Sequence, residues 1–174
     1  MVDLTFTNET KKKTYGRKFF LNIIKKAVDE FKLHKDIGLS VNLISKAKIQ
    51  ALNKKHRKKN KPTDVLSFPL SIKINTKPTL RLALPKPSAE RRSAPRHGLR
   101  PQSSEVVVGV ELGDIFICSE VVAEKSKQSR KSLRNEMAWV TVHGLLHLLG
   151  YDHERSQSEE KKMFSLQDKI LRSL

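Results

Sequence analysis

The chain has 174 residues, enough for one domain with a hydrophobic core and short for two. Its 35 Lys and Arg against 18 Asp and Glu leave a formal charge of +17, which points to a polyanionic partner, nucleic acid ahead of an anionic membrane surface. A single cysteine, Cys118, excludes an internal disulfide framework, no run approaches the ~18–20 apolar residues of a membrane span, and the start MVDLTFTNET has neither region of a secretory leader, so a reducing, cytoplasmic setting without a membrane is expected.

Taken in chain order, Val2, Leu4 and Phe6 alternate with polar residues and predict a half-buried strand. Phe20, Ile23, Ile24, Ala27, Val28 and Phe31 then recur at helical spacing and predict an amphipathic helix. Leu39, Val41 and Leu43 give a second strand. Ile49, Leu52 and His56 give a second helix, which Asn60 and Pro62 are expected to stop before a short strand from Val65 to Phe68, closed by Pro69. Val106 to Val108 and Leu112 to Cys118 read as extended, the latter apolar enough to be central in a sheet. A helix near 119–128 follows. The helix predicted over 132–149 is apolar nearly all round from Met137 onward, which requires it to lie inside the protein, and Gly150 is expected to end it in the left-handed conformation. Ser156 with Glu159 forms a capping-box pattern, and Met163, Leu166 and Ile170 mark the buried stripe of a last helix. The order β-α-β-α-β-(insertion)-β-α-α-α predicts one α+β (α/β-like) domain over residues 1–174, a small mixed sheet of about four strands flanked by helices.

The positive charge is local. Residues 46–61, KAKIQALNKKHRKKNK, hold eight Lys and Arg and no acid, and residues 71–106 hold eight against Glu90 and Glu105, so fourteen of the seventeen net charges lie in two stretches. The second stretch also carries five of the seven prolines, and about 75–104 reads as an inserted basic loop that lacks either hydrophobic period.

Three of the six histidines gather in HGLLHLLGYDH as His143, His147 and His153. Positions 143 and 147 are i and i+4, so on a helix both imidazoles leave one face and can grip one cation. Gly150 lets the chain leave that helix, and His153 can fold back as the third ligand. Three imidazoles at about 2.0–2.1 Å from Zn²⁺ leave a fourth position open, the arrangement of a catalytic site, where bound water reaches a pKa of about 7. The same ligand spacing occurs in metzincin proteases, but their pattern places the general-base Glu directly after the first His, and here that position is Gly144. Asp152, beside the third ligand, suits either a supporting role at the metal or a simple helix-exit turn. In NKKHRKKNKPTDVLSFP the cations cluster where a helix gives way to a strand, and Arg57 is the candidate catalytic cation, able to hold a phosphate with a planar two-pronged donor.

Together LNKKHRKKNKPTDVLSFP, LGDIFIC and HGLLHLLGYDH, in that order, resemble the YbeY family of bacterial rRNA maturation endoribonucleases. The resemblance implies a small sheet flanked by helices, one Zn²⁺ held by His143, His147 and His153, cleavage of single-stranded RNA, and work with rRNA and ribosomal components in small-subunit rRNA processing and ribosome quality control. By the same resemblance Arg57 takes the essential arginine role and His143 belongs to the catalytic set. Two features depart from the family pattern: His56 stands where Tyr is usual, and the basic insertion is much longer than usual. Two other readings make distinct predictions, a metallopeptidase, which Gly144 disfavours, and an RNA-binding assembly factor whose zinc is only structural, which requires a closed fourth ligand position.

Overall fold

Alternation along β1 (Val2–Asn8) puts Val2, Leu4 and Phe6 against one core, and the parallel partner β2 (Ile37–Leu43) adds Ile37, Leu39, Val41 and Leu43 to it. The computed structural model describes residues 1–10, 15–31, 36–70 and 109–174. Between the two strands runs α1 (Arg17–Glu30), which buries Phe20, Ile23, Ile24, Ala27 and Val28, the stripe its 3.6-residue period predicts. There follow α2 (Lys46–Arg57), β3 (Val65–Pro69), β4 (Val110–Ile117), α3 (Ser119–Ser129), α4 (Leu133–Leu148) and α5 (Gln157–Arg172), the order expected from the sequence. The extended segment at 106–108 and the basic stretch at 75–104 lie outside the described residues.

The sheet has the order β1-β2-β4-β3, with β2 parallel to both β1 and β4, and β3 antiparallel to β4 at the edge. The fold is therefore α+β with a mixed four-stranded sheet. β4 is central, as its apolar run requires. Its side chains divide by period 2: Ile115 and Ile117 join the core with α1, α4 and α5, while Phe116 joins Leu66, Phe68, Ile49 and Leu52 of β3 and α2 in a second cluster.

Two ends differ from their sequence signals. α2 stops at Arg57, with Lys58 in the left-handed conformation (φ 60°) and the Lys59 amide bonded to the Asn53 carbonyl at 3.3 Å, so the chain turns before Asn60 and Pro62 are reached. Buried Asn53 holds the segment beyond by donating from Nδ2 to the Lys61 carbonyl at 2.7 Å. At α5, the Ser156 hydroxyl accepts from the Glu159 amide at 3.2 Å, which is the forward half of a capping box.

Candidate metal centre

α4 is the structural origin of the site. Met137, Ala138, Val140, Thr141, Val142, Leu145, Leu146 and Leu148 are all buried, so the helix is clasped on nearly every side, and only this burial makes a polar face on it informative. His143 is 8% exposed and His147 is half-buried one turn on. The helix ends in a Schellman turn: the Gly150 amide bonds the His147 carbonyl and the Tyr151 amide bonds the Leu146 carbonyl, each at 3.0 Å, with Gly150 at φ 90°. That reversal brings His153 back to its own helix, its ring centroid 5.1 Å from His143 and 5.3 Å from His147.

The ligand nitrogens of the three residues all lie within 4.8 Å of one another, and the Nε2 atoms of His143 and His147 are 3.2 Å apart. Two nitrogens each about 2.0–2.1 Å from a tetrahedral cation are separated by roughly 3.3 Å. The donor set therefore fits one ion, and no fourth His, Cys, Asp or Glu joins the cluster among the described residues. Gln167, fully buried on α5, places Oε1 3.0 Å from His143 Nδ1. As the acceptor of an Nδ1–H bond it leaves the Nε2 lone pair directed at the cluster, the tautomer a metal ligand needs. Burial, opposed by Gln167 and reinforced by the neighbouring imidazoles, pushes the His143 pKa down from 6.5 to about 4. Burial and His153 push His147 down as well, against a hydrogen bond with the Tyr151 backbone. Both imidazoles are thus held neutral and ready to ligate.

The histidines open into a cleft of about 640 Å³ that Arg57 also lines, so all four residues singled out in the sequence meet at one place. Arg57 does not stand free there: its guanidinium bonds Glu154 at 2.6 Å, holding that carboxyl below its usual range, and Glu154 directly follows the third histidine. Asp64, at the start of β3, is nearly buried in the cleft wall. Burial raises its pKa, but hydrogen bonds and charge from Lys125, 2.7 Å away, together with Thr63, more than offset this and leave it lowered. Asp152 accepts from the Glu154 amide at 3.0 Å and from Arg155 Nε at 3.1 Å, so it is a helix-exit turn residue. Trp139 stacks on His143 with centroids 4.8 Å apart and planes 12° from parallel, and Phe164 stacks on His153 at 5.7 Å. His56 packs edge-on against Phe68, with ring centroids 4.9 Å apart.

Gly144 faces the sheet. A Cβ there would lie 2.9 Å from Ile115 Cγ2 and 3.0 Å from Ser67 Oγ, so the helix approaches β3 and β4 too closely for a carboxylate at the position a metzincin uses. Sequence reasoning missed Gln167, Glu154, Asp64 and Trp139. Only Gln167 carried a local signal: it falls at i+4 from Met163 and i−3 from Ile170, a polar residue on an otherwise apolar stripe.

A family model described as Endoribonuclease YbeY matches residues 4–174. The chain belongs to the YbeY endoribonuclease family. An Endoribonuclease YbeY from Mesoplasma florum is 31% identical over 99% of this chain and 86% of its own length. One from Staphylococcus carnosus is 35% identical over 86% and 80%, and one from Enterococcus faecalis 34% over 98% and 96%. The solution structure of a Thermotoga maritima protein superposes with a TM-score of 0.54 at 27% identity, covering 98% of this chain and 87% of that one. The near-complete coverage of the YbeY relatives extends over β1 to α5, so the histidine turn and the arginine segment both fall within the family match.

Proposed function

We propose that this chain is a zinc-dependent endoribonuclease that cleaves single-stranded RNA and acts in the cytoplasm on small-subunit rRNA during its maturation and in ribosome quality control. The observation that carries the reading is the three-imidazole cluster, open on one side and sharing its cleft with Arg57. Membership of the YbeY family and the basic charge around α2 support RNA as the substrate. His143, His147 and His153 would hold the zinc ion, which would supply Lewis acidity and hydroxide at neutral pH.

The chain's own groups do the rest. Gln167 and burial keep His143 neutral, with its Nε2 lone pair directed inward. Arg57, released from Glu154, grips the scissile phosphate through two N–H donors and stabilises the negative charge that grows on its oxygens as water attacks phosphorus and the ester oxygen leaves. Lys54, Lys55, Lys58 and Lys59, all exposed at the end of α2, neutralise flanking phosphates. The peptidase alternative needs a carboxylate at position 144, for which the sheet leaves no room. A purely structural zinc needs a fourth protein ligand, and among the described residues the cluster contains three.

The test is cleavage of precursor small-subunit rRNA fragments by purified protein, with metal analysis of the same sample. Chelation and His143→Ala are each expected to abolish cutting. Undiminished cleavage by His143→Ala overturns the assignment.

A further inference from the structure

We infer that the groove between α1 and α4 is a second binding site for single-stranded nucleic acid, taking the flank of the RNA whose scissile phosphate lies at the histidines. The inference rests on the endoribonuclease reading and extends it to an extended substrate path. The groove encloses about 940 Å³ and is lined by Lys18, Phe19, Lys25, Lys131, Arg134 and Trp139 among others. Trp139 is the link, because it lines both this groove and the metal cleft while stacking on His143.

The distribution of paired and unpaired charge favours this path. Among the described residues that line the metal cleft, each Lys and Arg is engaged: Arg57 by Glu154, Lys125 by Asp64 and Arg155 by Asp152. In the α1/α4 groove, Lys18, Lys25 and Arg134 have no carboxylate partner among the described residues, and Arg134 instead lies 5.3 Å over the ring of Phe19. Glu136, the one acid lining the groove among the described residues, is already committed. It is buried, accepts from Ser129 at 2.9 Å and lies 3.9 Å from Lys131, while Lys26 is held by the carbonyl oxygens of Ser173 and Leu174. Free cations beside half-buried aromatic planes match a sugar-phosphate backbone with unstacked bases, since phosphates take the charges and bases stack on rings. An anionic bilayer has no use for the recessed rings. Arg134 and His143 are nine residues apart on α4, about 14 Å along the axis. At about 3.4 Å per stacked nucleotide, the Arg134 end of the groove lies roughly four nucleotides from the cleaved bond, beyond the reach of a 4-mer.

The experiment uses the full chain and fluorescein-labelled oligoribonucleotides of 4 and 16 nucleotides, with the exposed pair reversed as Lys18→Glu/Lys25→Glu. For the 16-mer the double variant is expected to raise KM at least tenfold with kcat within twofold, and to reduce the salt slope of binding by about two. For the 4-mer KM should move far less. Trp139→Leu is kept out of this comparison because it also walls the metal cleft. Equal effects on both lengths, or none on either, overturn the groove. Anisotropy of the metal-free protein with the 16-mer separates the two readings: if the wild type cuts no RNA the endoribonuclease reading fails, while loss of 16-mer binding in the variant still supports the groove and unchanged binding refutes it. Equal affinity for a 16-base-pair duplex, or capture by phosphatidylserine vesicles in preference to the oligonucleotide, also overturns it.

Discussion

Gln167 Oε1 sits 3.0 Å from Nδ1 of His143, and the amide nitrogen of the same side chain is buried with no hydrogen-bond partner among the described residues. The contact therefore has a direction. If the amide were turned the other way, its N–H would donate to Nδ1, the ring proton would move to Nε2, and the nitrogen facing His147 could not ligate. Gln167→Leu should keep the stripe of α5 packed but release the ring, lowering metal affinity about 10–100-fold. Competition with a chromophoric chelator reads this. Gln167→Glu keeps the acceptor and should bind metal at least as tightly as the parent; equal weakening in both variants would mean that the contact serves packing alone.

The contact between Arg57 and Glu154 sets a second expectation. Both side chains are partly exposed, so the pair adds little to stability, but it occupies Nη2, one of the donors that a phosphate needs. Glu154→Gln should free the guanidinium and lower KM for RNA severalfold without loss of metal. Arg57→Ala should cost on the order of 10²-fold in kcat, the scale of one lost charge-stabilising group. Arg57→Lys should recover little, because an ammonium does not reproduce the planar fork. Steady-state kinetics on one single-stranded substrate decide all three.

Acid should destabilise the metal-free protein in two windows. His143 has its pKa lowered from 6.5 to about 4, chiefly by burial, so between those values the unfolded chain binds a proton that the folded chain refuses. Stability therefore falls as pH drops from 6.5 to about 4, by on the order of 3 kcal/mol at about 1.4 kcal/mol per unit. Asp64 acts lower down. Its folded pKa is below 3.8, so the stabilisation from Lys125 is complete above 3.8 and is lost as pH falls through the folded value. Urea denaturation of chelator-treated protein at pH 7, 5 and 4 measures the first window, and a flat profile there would contradict it. Lys125→Met should remove the second.

How much of this was legible in the sequence follows the range of the interactions involved. The strands and helices announced themselves because burial repeats at 2 or 3.6 residues, and the histidine triad did so because its spacing is local to one helix and one turn. Arg57 was legible from its setting and from family resemblance, but its capture by Glu154, 97 residues away, was not. Asp64 and Lys125, or Trp139 and the α1 lysines, are likewise joined only by the packing of separate elements. No periodicity encodes such pairings. The chain turn after Arg57 escaped for a different reason: Lys58 adopts a left-handed backbone that sequence signals reserve for Gly or Asn.

Gly144 gives the sharpest test of how the sheet positions the metal helix. An added Cβ would press on Ile115 Cγ2 at 2.9 Å and Ser67 Oγ at 3.0 Å. Gly144→Ala should cost about 1–3 kcal/mol by overpacking, which for a domain of this size lowers Tm by roughly 2–4 °C per kcal/mol. The Ser67 hydroxyl is itself buried without a partner among the described residues, so Ser67→Ala alone should raise stability by about 1 kcal/mol. It should also open room beside position 144. The double variant Ser67→Ala/Gly144→Ala is therefore expected to be more stable than the sum of the single effects, with a favourable coupling of about 0.5 kcal/mol or more. Thermal denaturation of the four metal-loaded proteins closes the cycle. Strict additivity would mean that the helix moves away from β3 instead of pressing on it, and metal affinity should then fall in Gly144→Ala because His143 moves with the same turn.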